Sequence, residues 1–503
     1  MSKYAKADIS PYGVIKDTSP FNVEAEWTHA NNVRFDNGSV VKYGGEVEAD
    51  ATSVQALHLQ FNGSHEQPLW YYMADASIYK TEFSGDTLLG AVTSGGKWDS
   101  TLFNNIPVFN NELDIPWVTL DDLALTALPN FPPLSVCKAV RPYKSFLVAL
   151  NLTDNGVINN NRILWSDSSD GGDLPASWDI SDPSTLAGDA WLTSSKGEVI
   201  DGLQLRDLFV IYKTHSTYIM RLISGQSVMK IEKIQVNSGI LAKNCVAEFK
   251  GIHFVVSDAD VVLFDGQSVK SIADKRVRAE IFTKIDTVNY ANTYVVRYDR
   301  QDEMWICYPE QGQEYPNRAA IWNWKDDTWA FRDLSQSRHI ASGVTNFAPG
   351  VTWDSQNVTW DSQARSWNPL SQNPTTDTLV SAATLKLGIL DQGNNVFDVA
   401  MNTTLEKTSM DFGDPDSIKI IKTIRPRITA NAGTSIYIRV GVQFNADDPI
   451  QWNTERLYTV GTDREAYFTC KGRYISVRFR TQDIDETWAL HGFTIETALS
   501  GNY

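Results

Sequence analysis

Cysteine is scarce in this 503-residue chain, with four residues at Cys137, Cys245, Cys307 and Cys470 and none near another. No Cys-x-x-Cys and no Cys/His pair at metal-ligand spacing occurs. That excludes a zinc ribbon or finger, and it excludes a disulfide-stapled scaffold. Buried free thiols in a chain matured in a reducing cytosol are expected instead. The histidines, His29, His58, His65, His215, His253, His339 and His491, are equally scattered. No apolar run approaches the ~18–20 residues of a membrane-spanning helix, so no stable membrane insertion is expected. The opening Met-Ser-Lys-Tyr-Ala-Lys-Ala-Asp carries no apolar signal-peptide core. A Gly-x-Ser-x-Gly elbow, a Walker loop and a helix-opening Gly-x-Gly-x-x-Gly are all missing, so a hydrolase triad, a nucleotide site or another catalytic, metal or cofactor site cannot be assembled from motifs. Helical periodicity is confined to 273–284, with Val277 and Ile281 on one face.

Positive charge is in deficit. Lys+Arg number 44 against 61 Asp+Glu, a net of −17. Such a chain does not grip nucleic acid through a broad basic face. It can still let nucleic acid pass, because a channel through which DNA slides should repel phosphate. The acid is unevenly spread: 416–503 holds 11 Lys+Arg and 10 Asp+Glu, and the remaining residues carry −18. Cationic clusters stand in this C-terminal region, at Arg425/Arg427 and at Lys471/Arg473/Arg478/Arg480.

Strand signal is abundant. Between 294 and 334 four short apolar-aromatic runs follow one another, carrying Trp305, Trp322, Trp324 and Trp329. Length and strand count match one four-stranded blade of a β-propeller. Similar runs at a similar pitch extend back through 55–61, 69–73, 77–83, 101–109, 137–140, 145–150, 202–212, 217–223, 251–256 and 260–264, and forward through 386–390 and 395–400. A hairpin is expected at 32–45, turning at Asp36-Asn37-Gly38. Beyond 403 the strands lengthen, and Ile436, Ile438, Val440 and Val442 alternate with Tyr437, Arg439 and Gly441, the mark of a sheet covered on one face. The expected fold is therefore all-β. An N-terminal extended arm and hairpin (1–50) precedes a β-propeller of several blades of about four antiparallel strands (51–402, with a loop insertion around 346–378). An antiparallel β-sandwich or barrel (403–503) follows.

Ser166-Asp-Ser-Ser-Asp-Gly-Gly-Asp-Leu-Pro-Ala-Ser-Trp178 resembles the Asp-box of propeller proteins: Ser168, Asp170 and Gly172 keep its spacing, while Trp178 arrives three residues late. In that motif the Asp caps a hairpin turn, a structural role. The adjacent carboxylates Asp121/Asp122, Asp326/Asp327 and Asp447/Asp448, and the Asp258-x-Asp260 pair, fall in turn contexts. Candidate partner contacts are the indoles Trp353 and Trp360 of a duplicated Val-Thr-Trp-Asp-Ser, Trp367 after it, and Arg473 with Arg478 and Arg480, the last two on one face of a strand. The indoles either pack on the chain's own sheet or meet a partner. The arginines either pair across the sheet or meet phosphate.

The order of elements resembles the tail nozzle, tail hub or packaged-DNA stabilisation proteins of short-tailed bacteriophages (podoviruses). It runs through Asn31-Asn-Val-Arg-Phe35…Gly44-Gly45, Trp98…Asn111-Glu-Leu-Asp-Ile-Pro-Trp117, Ile163-Leu-Trp-Ser-Asp167…Trp178 and Val255-Val-Ser-Asp-Ala-Asp-Val-Val-Leu-Phe-Asp-Gly266. It ends with Ile321-Trp-Asn-Trp324…Thr328-Trp329 and Gly472-Arg-Tyr-Ile-Ser-Val-Arg-Phe479…Trp488-Ala-Leu-His-Gly-Phe493. The duplicated Trp-Asp-Ser belongs to no part of that pattern. The resemblance implies a non-enzymatic virion protein made in the host bacterial cytoplasm. It would form a ring, usually of six copies, at the distal tail, against an adaptor or tube protein and tail fibres or spikes. Genomic DNA would be retained and then ejected through the lumen without sequence-specific binding. The alternative is a propeller that binds or degrades host-surface glycan, sialidase- or depolymerase-like, for which Arg141, Arg162 and Arg206 are available.

Overall fold

A computed structural model describes residues 4–9, 13–23, 26–63, 69–83, 85–223, 228–234, 238–345 and 377–502. Antiparallel strands dominate, and among the described residues the one α-helix is Arg278–Lys284. Six four-stranded sheets follow in strict chain order, each a meander. Blade 1 is His58–Asn62, Leu69–Met73, Ser77–Thr81 and Asp86–Ala91; blade 2 is Asp99–Phe103, Ile106–Asn110, Trp117–Val118 and Thr126–Ala127. Blade 3 is Ser135–Tyr143, Phe146–Asp154, Val157–Trp165 and Gly188–Trp191; blade 4 is Val199–Leu205, Leu208–Lys213, Thr217–Leu222 and Met229–Lys233. Blade 5 is Val246–Phe249, Ile252–Val256, Val261–Phe264 and Val269–Ser271; blade 6 is Tyr294–Tyr298, Glu303–Tyr308, Arg318–Asn323 and Thr328–Asp333.

The seventh blade is assembled from both ends of this series. Ile340–Gly343, Thr378–Ala383 and Lys386–Leu390 supply three strands, and Glu46–Ala51, which precedes blade 1, supplies the fourth by pairing with Lys386–Leu390. Each innermost strand lies beside that of the next blade, and that of the seventh lies beside that of the first. The ring is thus closed by main-chain hydrogen bonds between distant segments, which protects edges that an open series would expose. Together the seven sheets form a β-propeller.

A β-sandwich is built from the rest. One sheet runs Val33–Asp36, Ser39–Lys42, Trp488–Asn502, Ser417–Ala430, Ala466–Gly472, with Tyr4–Ile9 also paired to Trp488–Asn502. The other runs His29–Asn31, Thr403–Met410, Tyr474–Thr481, Ser435–Gln443, with Gln451–Trp452 and Arg456–Thr459 on its edge. Ile436, Ile438 and Val440 face the core as their alternation requires, against Ile421, Ile424, Leu490 and Ile495 of the opposite sheet. Trp27 is wedged between the sheets, its ring 6.3 Å from Phe479 and 5.9 Å from Phe493.

Four expectations are corrected. Residues 1–50 are not a separate arm: a two-stranded hairpin is marginal alone, and that at 33–42 joins the sandwich through Val40↔Leu490 and Val41↔Ala489. Its turn is of type I′, with φ 47° at Asn37 and 74° at Gly38. The run 101–109 is two strands, because Asn104 (φ 48°) and Asn105 (φ 71°) make a second turn of that kind without glycine. The run 202–212 is likewise broken at Arg206, whose φ of 53° no sequence rule anticipates for arginine. The expected helix at 273–284 is shortened to Arg278–Lys284. The amides of Ala279 and Glu280 are capped from afar by the Asp17 carboxylate at 2.7 and 3.2 Å. The insertion around 346–376, with Trp353, Trp360 and Trp367, lies outside the described residues.

Propeller and sandwich share a polar junction. Arg34 of the hairpin makes two hydrogen bonds to Glu303 of blade 6 (3.0 and 3.3 Å) and one to Asp391 at 2.9 Å. Trp305 Nε1 and the Tyr43 hydroxyl also donate to Glu303, at 3.0 and 3.3 Å. Burial works against the Arg34 charge, but Glu303 and Asp391 hold its pKa above the usual value. Every member has a partner, the condition for a buried charge to specify geometry.

Candidate functional site

Polar residues of the innermost strands, and of the segments just ahead of them, meet at the propeller axis. Arg141 of blade 3 is the central member. Its Nε and Nη2 donate to the two carboxylate oxygens of Asp201 in blade 4, at 2.9 and 3.1 Å. Its Nη1 pairs with Asp99 in blade 2, and its Nη2 also reaches Asn244 Oδ1 at 2.8 Å, ahead of blade 5. Main-chain amides complete both carboxylates: Val140 to Asp99, and Gly202 and Asn244 to Asp201. Desolvation opposes the Arg141 charge, yet Asp201 and Asp99 outweigh it and raise the pKa.

The other side of the axis is neutral. His58 of blade 1 and His339, just before blade 7, lie against each other with ring centroids 3.8 Å apart and planes tilted by 36°, and Tyr294 of blade 6 lies 5.0 Å from His339. His339 Nδ1 accepts the Leu59 N–H at 3.2 Å, which places its proton on Nε2; His58 Nε2 bonds Ser100 Oγ at 2.8 Å. Burial, with Lys243 and Arg141 nearby, pushes the His58 pKa down to about 3; burial and the neighbouring His58 hold His339 well below its ordinary value. Seven blades are thereby tied at the axis by one charged cluster and one neutral imidazole pair.

Above this layer opens a vestibule of about 420 Å³. Lys243 and Lys138, on its wall, are bound by Glu112 at 2.6 Å and Glu198 at 3.0 Å. Lys97 and Arg338 also border it and form no ion pair among the described residues. Tyr290 and Tyr315 stand at the rim, the latter beneath the Arg338 guanidinium at 4.4 Å.

The residues singled out from sequence lie elsewhere. Arg478 pairs with Glu406 at 2.6 Å and covers Trp452 at 4.3 Å; Arg480 pairs with Glu455 at 2.7 Å and covers Tyr437 at 5.7 Å. Those cations serve their own sheet. The Arg473 carbonyl accepts Lys419 Nζ at 2.9 Å. Arg141 is axial, Arg162 is held by Asp154 and Asp189 within blade 3, and Arg206 sits in a turn of blade 4, so the three are not gathered. In the Asp-box-like loop Asp167, rather than Asp170, accepts main-chain amides, from Ser168 and Leu186 at 2.8 and 2.9 Å. Trp178 packs on Phe131 at 5.0 Å. Asp121 caps the amides of Leu123 and Ala124, Asp327 pairs with Arg276, and Asp448 caps Asn445, all in turns. No group of three or more His, Cys, Asp or Glu placed to hold a metal occurs among the described residues. Cys137, Cys245 and Cys307 are buried, and burial pushes the Cys307 thiol up to about 12.

Sequence reasoning missed the axial set because Asp99, Arg141 and Asp201 are about forty to sixty residues apart and share no local pattern. The signal that was there is one charged residue inside an apolar inner-strand run, recurring at blade pitch.

No family model matches the chain, and no curated protein matches it. Among solved structures it is similar to PorZ, an essential bacterial surface component of the type-IX secretion system of Porphyromonas gingivalis. The two are 9% identical over 85% of this chain and 46% of that one, with a TM-score of 0.38. It is similar to BBS1N, solved in complex with ARL6DN (9% identity, 71% and 98% covered, TM-score 0.37). A third similar structure is the Neurospora crassa Pan2 WD40 domain (8% identity, 71% and 96% covered, TM-score 0.36). The chain spans less than half the length of the PorZ structure. Likenesses this distant carry no argument about what the chain does.

Proposed function

We propose that this protein is a structural wall component of the distal tail nozzle of a short-tailed bacteriophage. Copies of it would form a ring whose lumen retains packaged DNA and later conducts it. The observation that carries this reading is the state of the propeller axis. Arg141 is held between Asp99 and Asp201 there, His58 and His339 are held neutral, and Lys138 and Lys243 are bound by glutamates. A propeller enzyme keeps an unsatisfied acid, base or nucleophile at this place; here the charged groups of the layer stabilise the ring. DNA would pass between copies, since the axis of each propeller is filled by side chains.

Charge supports the same reading. Six copies at −17 give about −100 in all, and acid facing a lumen lets phosphate slide. Light scattering and negative-stain imaging of the purified full chain test the proposal, alone and with the tail adaptor or tube protein of the same virion. Closed rings in either sample are expected. A chain that stays monomeric in both, and that releases reducing sugar from host polysaccharide, overturns it.

A further inference from the structure

We infer that the axial vestibule is a binding site for an acidic saccharide unit, of the hexuronate class. The inference rests on the cavity alone and stands or falls apart from the nozzle reading.

The cavity, about 420 Å³, lies within the roughly 300–1,000 Å³ of small-ligand sites, and His58, His339 and Asn244, the last a partner of Arg141, are among its lining residues. Its charge runs against that of the molecule: four cations and three carboxylates border it, in a chain of net −17. Lys138 and Lys243 are already engaged, so Lys97 and Arg338 are the cations left for an incoming anion. A planar guanidinium suits a carboxylate because it can give two parallel N–H bonds.

Unfilled hydrogen-bonding capacity points the same way. Thr293 lines the cavity and is 1% exposed, yet its hydroxyl has no partner, and neither has the buried Nε–H of Arg338. Buried polar groups are normally satisfied, so these two call for a polar guest. The His339 Nε2–H adds a donor suited to a ring hydroxyl, while the Asn289 side-chain amide already donates to the Gln313 carbonyl at 3.1 Å. Tyr290, 44% exposed at the rim, and Tyr315 beneath Arg338 offer flat apolar faces to the C–H side of a pyranose. A carboxylate, several hydroxyls and one apolar face on a compact body describe a uronic acid. An acidic peptide has the carboxylate but no ring of hydroxyls for these donors, and a triglutamate peptide is therefore the competing ligand in the test.

Calorimetric titration of the full chain tests this with sodium glucuronate, with glucose and with a triglutamate peptide. Saturable glucuronate binding is expected, with glucose at least about tenfold weaker, because the charge-assisted bonds are lost. Arg338→Gln and, independently, Tyr290→Ala should each weaken glucuronate about tenfold with an unchanged melting curve, while Lys471→Gln on the sandwich leaves it unchanged. If Arg338→Gln fails to fold, Tyr290→Ala decides alone. Equal binding of glucose, tighter binding of triglutamate, insensitivity to these rim variants, or no saturable binding overturns the inference.

Discussion

Four histidines are stored neutral in this fold, and that makes its stability a function of pH. Burial, with Lys16 beside it, pushes His29 down to about 3, and burial does the same for His58 and takes His253 to about 4. His339 lies well below its ordinary value for the same reason. The folded values are lower than the unfolded value near 6.5, so unfolding takes up protons below that pH. The stabilising contribution is fully present above pH ~6.5 and is lost as pH falls towards the folded values. Each such group gives at most about 1.4 kcal/mol per pH unit, hence about 2 kcal/mol by pH 5. Lys243, ahead of blade 5, and Arg141 of blade 3 add to the burial that keeps His58 neutral, although carboxylates pair with both. The urea midpoint should therefore fall between pH 7 and 5, above the range where Glu280, held near 2 against burial by Lys16 and Lys284, loses its charge. In the His58→Gln/His339→Gln double variant that slope should shrink by about two protons; an unchanged slope would show that the pair is not what titrates.

Ring closure depends on a single added strand. Glu46–Ala51 completes the seventh blade, and its first residue anchors it: the Glu46 carboxylate, 1% exposed, accepts the hydroxyls of Ser335 and Ser381. Arg332 donates to the Gly45 carbonyl beside it at 2.9 Å, and a Cβ on Gly45 would lie 1.9 Å from the Asn395 carbonyl oxygen, so only glycine fits the approach. Glu46→Ala leaves the buried Ser381 hydroxyl and the half-buried Ser335 hydroxyl without their acceptor and should cost about 1–3 kcal/mol, read as a drop in urea midpoint at unchanged m-value. A cost below ~0.5 kcal/mol would mean that the strand is held by main-chain pairing alone. Most blade strands could be read along the chain, because a half-buried meander leaves apolar runs punctuated by turns: Leu69–Met73, the central hairpin of blade 5 and all of blade 6 fall where their patterns place them. Runs merged wrongly where the turn was made by Asn104-Asn105 or by Arg206, since neither announces a positive φ as Asn-Gly does. The strand that closes the ring was invisible as such. Glu46–Ala51 is acidic and faces its partner more than 330 residues away.

Both chain ends return to one sandwich, which fixes how the propeller can be displayed. Sandwich and propeller are joined through Arg34, Glu303 and Asp391, so a copy placed in a ring presents both surfaces together. Residues 416–503 carry a net of +1 while the rest carries −18, so contacts through the sandwich bring little like charge together. Assembly driven through propeller faces would be favoured by salt, which screens repulsion beyond a Debye length of ~8–10 Å; assembly through sandwich faces should change little. We expect ring yield, followed by light scattering from 0.05 to 0.5 M NaCl, to vary by less than about twofold. A steep rise with salt would assign the contact to the acidic propeller. The residues by themselves determined that this chain is an all-β protein of propeller type with a C-terminal antiparallel region, sandwich or barrel, because period-two burial and turn chemistry are local and written every few residues. Only the tertiary structure decided that the blades number seven among the described residues and that residues 4–9 and 29–51 belong to sheets built mostly from the far end. It also decided that Asp99, Arg141, Asp201, His58 and His339 converge on one axis. Those facts depend on which distant segments find each other, and a single residue's neighbours along the chain hold no record of its neighbours in space.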